Sequence, residues 1–127
     1  MPVTYAANTI QTVYAHLSGT AESRVVSTKL DDEGKTTKRG VHRRMFSGCV
    51  VYNDHASNDA RTVSINITDG TTSYRLDRTT IQKGDSAVWS EEEYGVELGS
   101  DQYVDVLCES IHVLDDLYVF IRLRDIA

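Results

Sequence analysis

Proline is almost missing from this chain. The one proline is Pro2, so nothing further along is barred from a hydrogen-bonded ladder by a missing N–H. Cysteine is nearly as scarce. Cys49 and Cys108 are the two present, and each sits in an apolar strand-like run, where a free thiol behaves as a small buried hydrophobe. Aromatic residues make up 8% of the chain, with Trp89 the single tryptophan, which weighs against a sugar-binding surface built from aromatic platforms. No apolar run approaches the roughly 18 residues of a membrane helix. The start, "MPVTYAANTIQTVYAHLSG", lacks the basic opening and continuous apolar segment of a secretory signal. The expectation is a protein that neither spans a membrane nor is marked for export.

The 127 residues, 40% hydrophobic and 25% charged, match one ordinary globular domain that needs no disulfide to fold. A net charge of −6 argues against general nucleic-acid binding through phosphate contacts. The distribution of charge says more than its sum. "KTTKRGVHRR", at 35–44, carries five of the thirteen basic residues and no acid, whereas 91–121 holds nine acids and no Lys or Arg. Such a division predicts a partner surface in which Lys35, Lys38, Arg39, Arg43 and Arg44 meet an acidic region led by Glu91, Glu92 and Glu93 of a neighbouring copy or another component.

Alternation with period two and β-branched enrichment dominate, and no window carries apolar residues at helical spacing. Strands are predicted at 9–17, 24–30, 42–52, 62–68, 73–78, 86–90, 103–109 and 117–124. The fold class is therefore all-β: a single antiparallel β-sandwich or jelly-roll-like domain spanning 1–127. A short arm at 1–8 precedes it, and a basic hairpin protrudes at 28–44. Asp69-Gly70 is a strong hairpin signal, and "DDEG" at 31–34 and "NDHASND" at 53–59 supply the Asp, Asn and Gly of further turns. Val63, Ile65 and Ile67 are expected on one face of their strand, as are Val104, Val106 and Cys108, and Leu117, Val119, Ile121 and Leu123. Tyr118, Phe120, Arg122 and Arg124 then share an outer face whose mixture is unusual for bare solvent exposure, so a neighbouring subunit is a candidate cover.

Each catalytic motif fails on its surroundings. Gly84-Asp85-Ser86 is followed by Ala87 and Val88, where a serine-protease signature needs two glycines, so a turn into a strand is expected. Gly34-Lys35-Thr36 has Lys29 where a phosphate-binding loop needs glycine. His16, His42, His55 and His112 are scattered without metal-ligand spacing, and "SDQYVDVLCE" lacks the rhythm of a calcium loop. Asn66-Ile67-Thr68 fits the glycosylation pattern but has no secretory context. The acidic region leaves open two carboxylates meeting across a cleft as an acid-base pair. No catalytic residue, cofactor site or metal site is assigned.

Across 8–127 the chain resembles small β-sandwich virion proteins of tailed bacteriophages, of the head decoration, neck and tail accessory kind. The rhythm runs from "NTIQTVYAH" at 8–16 through "VVYNDHASNDARTVSINITDG" at 50–70, "IQKGDSAVW" at 81–89 and "VELGSDQYVDVLCES" at 96–110 to "VFIRLRDIA" at 119–127. Two departures stand out: "LGSD" replaces a turn that such proteins usually write as leucine, glutamate, alanine, glycine, aspartate, and 28–44 is long where a short connection is usual. The resemblance implies a non-enzymatic subunit, made in a bacterial host's cytoplasm and located in the virion. It would self-associate as a homo-oligomer and bind major capsid, neck or tail proteins, without sequence-specific nucleic-acid binding or membrane contact. A tail-associated host-surface or carbohydrate-binding module is the alternative.

Overall fold

The computed structural model describes residues 9–18, 22–29, 43–54, 60–109 and 116–126. Two antiparallel sheets pack face to face. In the first, β1 (Thr9–Ser18), β9 (Asp116–Ile126), β3 (Arg43–Asn53) and β6 (Ser86–Ser90) lie in that order, and β7 (Val96–Leu98) continues the β6 side of β3. In the second the order is β2 (Ser23–Val26), β8 (Tyr103–Cys108), β4 (Arg61–Thr68) and β5 (Ser73–Ile81). A one-turn helix, α1 (Glu91–Tyr94), joins β6 to β7. The β-sandwich expected from the alternation is thus present, with β7 and α1 as additions to the predicted strands.

The inner faces follow the predicted alternation. Leu117, Val119, Ile121 and Leu123 of β9 are fully buried, and so are Val63 and Ile65 of β4 and Val104, Val106 and Cys108 of β8. Both cysteines are free and buried. Burial foremost, and the other thiol nearby, pushes Cys49 up to about 12. Burial also pushes Cys108 up to about 11. Burial thus disfavours the thiolate, the nucleophilic form, at both positions.

Two bulges break the period and decide what faces where. Phe46 pairs with Leu123 and Gly48 with Arg122, leaving Ser47 as the extra residue in β3. The phase of β3 flips there: Phe46 points inward, then Cys49 and Val51, which puts Val50 and Tyr52 outside. Gly48 takes φ +141, and a Cβ on it would lie 2.8 Å from the Trp89 carbonyl oxygen. In β5, Ile65 pairs with Asp77 and Asn66 with Arg75, so Leu76 is extra. Asp77 is thereby turned to the inner side, where its Oδ2 accepts from Trp89 Nε1 at 2.7 Å and Tyr94 Oη at 3.3 Å.

The turns carry the expected chemistry. Asp69 Oδ1 accepts from the Thr71 and Thr72 amides at 2.8 and 2.7 Å, and Gly70 has φ +95. The Gly84-Asp85 segment is a turn between β5 and β6: Gly84 has φ +79, and its amide donates to the Asn53 carbonyl at 2.7 Å. Asn53, itself buried, donates from Nδ2 to the Ile81 carbonyl at 2.9 Å. Gly84, Asp85 and Ser86 thus serve as scaffold for the end of β3.

Candidate interaction surface

The outer face of the first sheet gathers the large apolar side chains that are not in the core. In β1, Val13, Ala15 and Leu17 turn toward the core, which leaves Ile10, Thr12, Tyr14 and His16 outside. Register then aligns strands that are far apart in sequence. Tyr14 lies opposite Phe120, Phe120 opposite Val50, and Val50 opposite Val88, forming one apolar row across four strands. Beside it runs a second row of His16, Tyr118, Tyr52 and Ser86. On the other side lie Thr12, Arg122, Gly48 and Ser90.

The rings pack on one another. Tyr14 and Phe120 have centroids 4.9 Å apart, and His16 stacks on Tyr118 at 4.4 Å with 2° between planes. Even so, Tyr14 is 54% exposed, Ile10 50% and Val88 65%. A soluble chain seldom leaves a contiguous apolar patch of this kind without a use for it. Over the Gly48 bulge, where no side chain rises, lies a groove of about 400 Å³ bordered by Ile10, Val50, Val88, Glu91 and Arg122.

Electrostatics mark the rim of this face. Ser90 caps α1 through its Oγ, which accepts from the Glu93 amide at 3.3 Å, and the sequence Ser90-Glu91-Glu92-Glu93 is a capping-box pattern. Glu91 reaches across β3, accepting from Ser47 Oγ at 3.4 Å and Arg124 Nε at 2.9 Å. Glu92 and Glu93 stay exposed. Arg122 is exposed too, with no ion pair among the described residues.

Among the predicted partner-binding residues, Lys35, Lys38 and Arg39 lie outside the described residues, as does most of the expected hairpin at 28–44 and the whole arm at 1–8. Of the remaining two basic ones, Arg44 needs correction. Arg44 is fully buried as the second residue of β3, with Nε on Asp125 Oδ1 at 2.6 Å and Nη2 on Oδ2 at 3.0 Å. Its Nη1 donates to the Thr28 carbonyl and hydroxyl at 3.2 Å each, and Gln11 Nε2 donates to Asp125 Oδ2 at 2.6 Å. Arg44 therefore offers nothing to a partner, because a strand in mid-sheet carries it into the interior. Arg43 is exposed but already clamps Glu97, with Nε on Oε1 at 2.7 Å. That contact raises the Arg43 guanidinium and lowers the Glu97 carboxyl. The basic and acidic stretches thus neutralise each other partly within the chain. Of the three acids, Glu91 is engaged with Arg124, and Glu92 and Glu93 remain presented.

Other sites are sparse. Among the described residues no three His, Cys, Asp or Glu side chains cluster as metal ligands, and no helix is long and apolar enough to cross a membrane.

No protein-family model matches the chain, and no curated protein does. Among solved structures, its fold is similar to that of Bacillus endospore appendages, described as a family of disulfide-linked pili. The TM-score is 0.51 at 10% identity, covering 100% of this chain and 97% of that one. The mitogen derived from Yersinia pseudotuberculosis is similar at a TM-score of 0.50 and 10% identity, covering 94% and 87%. A fainter likeness, TM-score 0.42 at 10% identity over 98% and 83%, is to the virus-like particle of the Macrobrachium rosenbergii extra small virus. At such identities the likeness is one of fold. The class so defined is the two-sheet antiparallel β-sandwich, and a pilus subunit and a mitogen sharing it show that the fold does not select the function.

Proposed function

We propose that this chain is a non-enzymatic structural subunit of a protein assembly, specifically a virion protein of a tailed bacteriophage at the capsid, neck or tail. The observation that carries the reading is the row of Tyr14, Phe120, Val50 and Val88 across four strands on the outer face of the five-stranded first sheet. An apolar face of that extent, rimmed by charge, is the usual form of a protein contact surface. The resemblance to small phage virion proteins supports the location, and the likeness in fold to a pilus subunit supports the use of this sandwich as a building block. Those pili are described as disulfide-linked. Here the two cysteines of the chain are both buried, so its joints would be non-covalent. Lys35, Lys38 and Arg39 remain proposed as a second contact, with other virion proteins as the partners.

Quantitative mass spectrometry of purified particles, scaled to the major capsid protein, tests the reading. A ratio near one supports decoration of the capsid, and a few to a few dozen copies per particle support neck or tail. Absence from particles overturns it. The gathering of Tyr14, Tyr52, Tyr118 and Phe120 on one face also favours the second reading, a carbohydrate-binding module of a tail. Against that stands the engagement of the rings with one another, notably His16 on Tyr118. Binding of the isolated chain to a glycan array, abolished by Tyr14→Ala, would move that reading to the front.

A further inference from the structure

We infer that the outer face of the β1-β9-β3-β6 sheet is closed by a second copy of this chain, related by a two-fold axis lying in the interface, parallel to the strands and between β9 and β3. The inference rests on reading that face as a contact surface, and it names the occupant.

Shape is the first argument. The apolar row is lopsided: its β1 and β9 half carries the large rings of Tyr14 and Phe120, and its β3 and β6 half carries the smaller Val50 and Val88. Beside the row, the groove over Gly48 runs across the sheet from Ile10 to Glu91. Rotation about the stated axis exchanges the halves without shifting the row. Tyr14 then rests on the partner's Val88 and Phe120 on the partner's Val50, large against small at each position. Two-fold interfaces are self-complementary in this sense, residue i meeting residue j and j meeting i.

Charge follows the same inversion. Arg122 stands on β9, one row from Phe120, and the acids of α1 border the opposite side of the face, fixed there by the Glu91 contacts with Ser47 and Arg124. The rotation carries Arg122 over the partner's Gly48, toward a rim where the partner's Glu92 and Glu93 have no counter-ion among the described residues. Each copy supplies one cation and receives one, which a chain of net charge −6 needs if two copies are to approach.

Area is the third argument. Four strands about 4.8 Å apart, paired over ten, ten and five residues, about eight on average at 3.3 Å rise, give a face of roughly 19 by 26 Å. Two such faces in contact bury on the order of 1,000 Å² in total, the lower bound of a specific protein interface.

The test uses the full chain. Variants Tyr14→Cys and Val88→Cys are mixed and treated with a short bis-maleimide that spans sheets packed about 10 Å apart. The native thiols do not compete, because Cys49 and Cys108 are 1% and 0% exposed. The expected product is a Tyr14→Cys to Val88→Cys heterodimer. Tyr14→Cys alone gives none, since the axis holds the two copies of that position three strands, about 14 Å, apart. In sedimentation velocity, Arg122→Glu weakens association about tenfold, and adding Glu92→Lys and Glu93→Lys restores it. A chain that stays monomeric at high concentration overturns the inference, and so does cross-linking of Tyr14→Cys to itself. A monomeric chain that is still found in particles, with Val88→Arg blocking its incorporation, removes the second copy and leaves the subunit reading standing. A two-fold dimer that is absent from particles does the reverse.

Discussion

Cutting Arg44 back to methionine would remove the two charge-assisted bonds that Arg44 makes to the Asp125 carboxylate in the interior. Removing one partner of a buried ion pair costs about 3–5 kcal/mol, so Arg44→Met should lose that much unfolding free energy in urea titration. Replacing both partners, as Arg44→Met with Asp125→Leu, removes the desolvation cost together with the attraction. The double variant should return to within about 1 kcal/mol of the parent. A double variant as weak as the single one would show that the network does more than neutralise itself. At this scale the sequence is least legible. Arg44 reads as the end of a basic run, and nothing local tells that Asp125, 81 positions away, waits opposite it in β9. Asp77 is similar: its turn inward toward Trp89 depends on a bulge. Cys49 and Cys108, by contrast, are legible from the apolar residues around them.

Strands that bury one face announce themselves by alternation, and for that reason the inner residues of β4, β8 and β9 are readable without a structure. A bulge is a single extra residue and looks like noise in the same pattern. Ser47-Gly48 is such a case, and it governs the candidate surface by setting Val50 and Tyr52 outward. Gly48→Ala meets both an unfavourable φ and the Trp89 carbonyl at 2.8 Å. Strain of this kind costs about 1–3 kcal/mol, to be seen as a lower urea midpoint, with the tryptophan emission shifted as β6 gives way. An unchanged midpoint would mean that β3 and β9 run without the bulge. β7 and α1 escape detection for another reason: three and four residues are too few for a period. The capping pattern Ser90 to Glu93 was nevertheless there to be read. The turns at Asp69-Gly70 and Gly84-Asp85 are legible because Asp and Gly answer a local need.

For the molecule as a whole, half of the candidate surface is visible in one strand. Tyr118, Phe120, Arg122 and Arg124 stand out along β9 as an odd outer face. Its completion by Ile10, Tyr14, Val50, Tyr52 and Val88 depends on which strands are neighbours, and β1 meets β9 from the far end of the chain. Sheet order is a non-local property, paid for by closing long loops, and composition does not encode it. The same topology joins the two oppositely charged stretches through Arg43 and Glu97, seats Arg44 on Asp125, and leaves Arg122, Glu92 and Glu93 to face outward. The central claim is that the outer face of the first sheet is the surface covered on assembly. Hydroxyl-radical footprinting of the chain, free and assembled, reads it directly, because Tyr74 on β5 of the other sheet, 60% exposed, serves as an internal control. Tyr14, Tyr52, Tyr118 and Phe120 should lose reactivity together on assembly while Tyr74 keeps its own. Protection of Tyr74 with the four unchanged would place the contact on the other sheet and contradict the account.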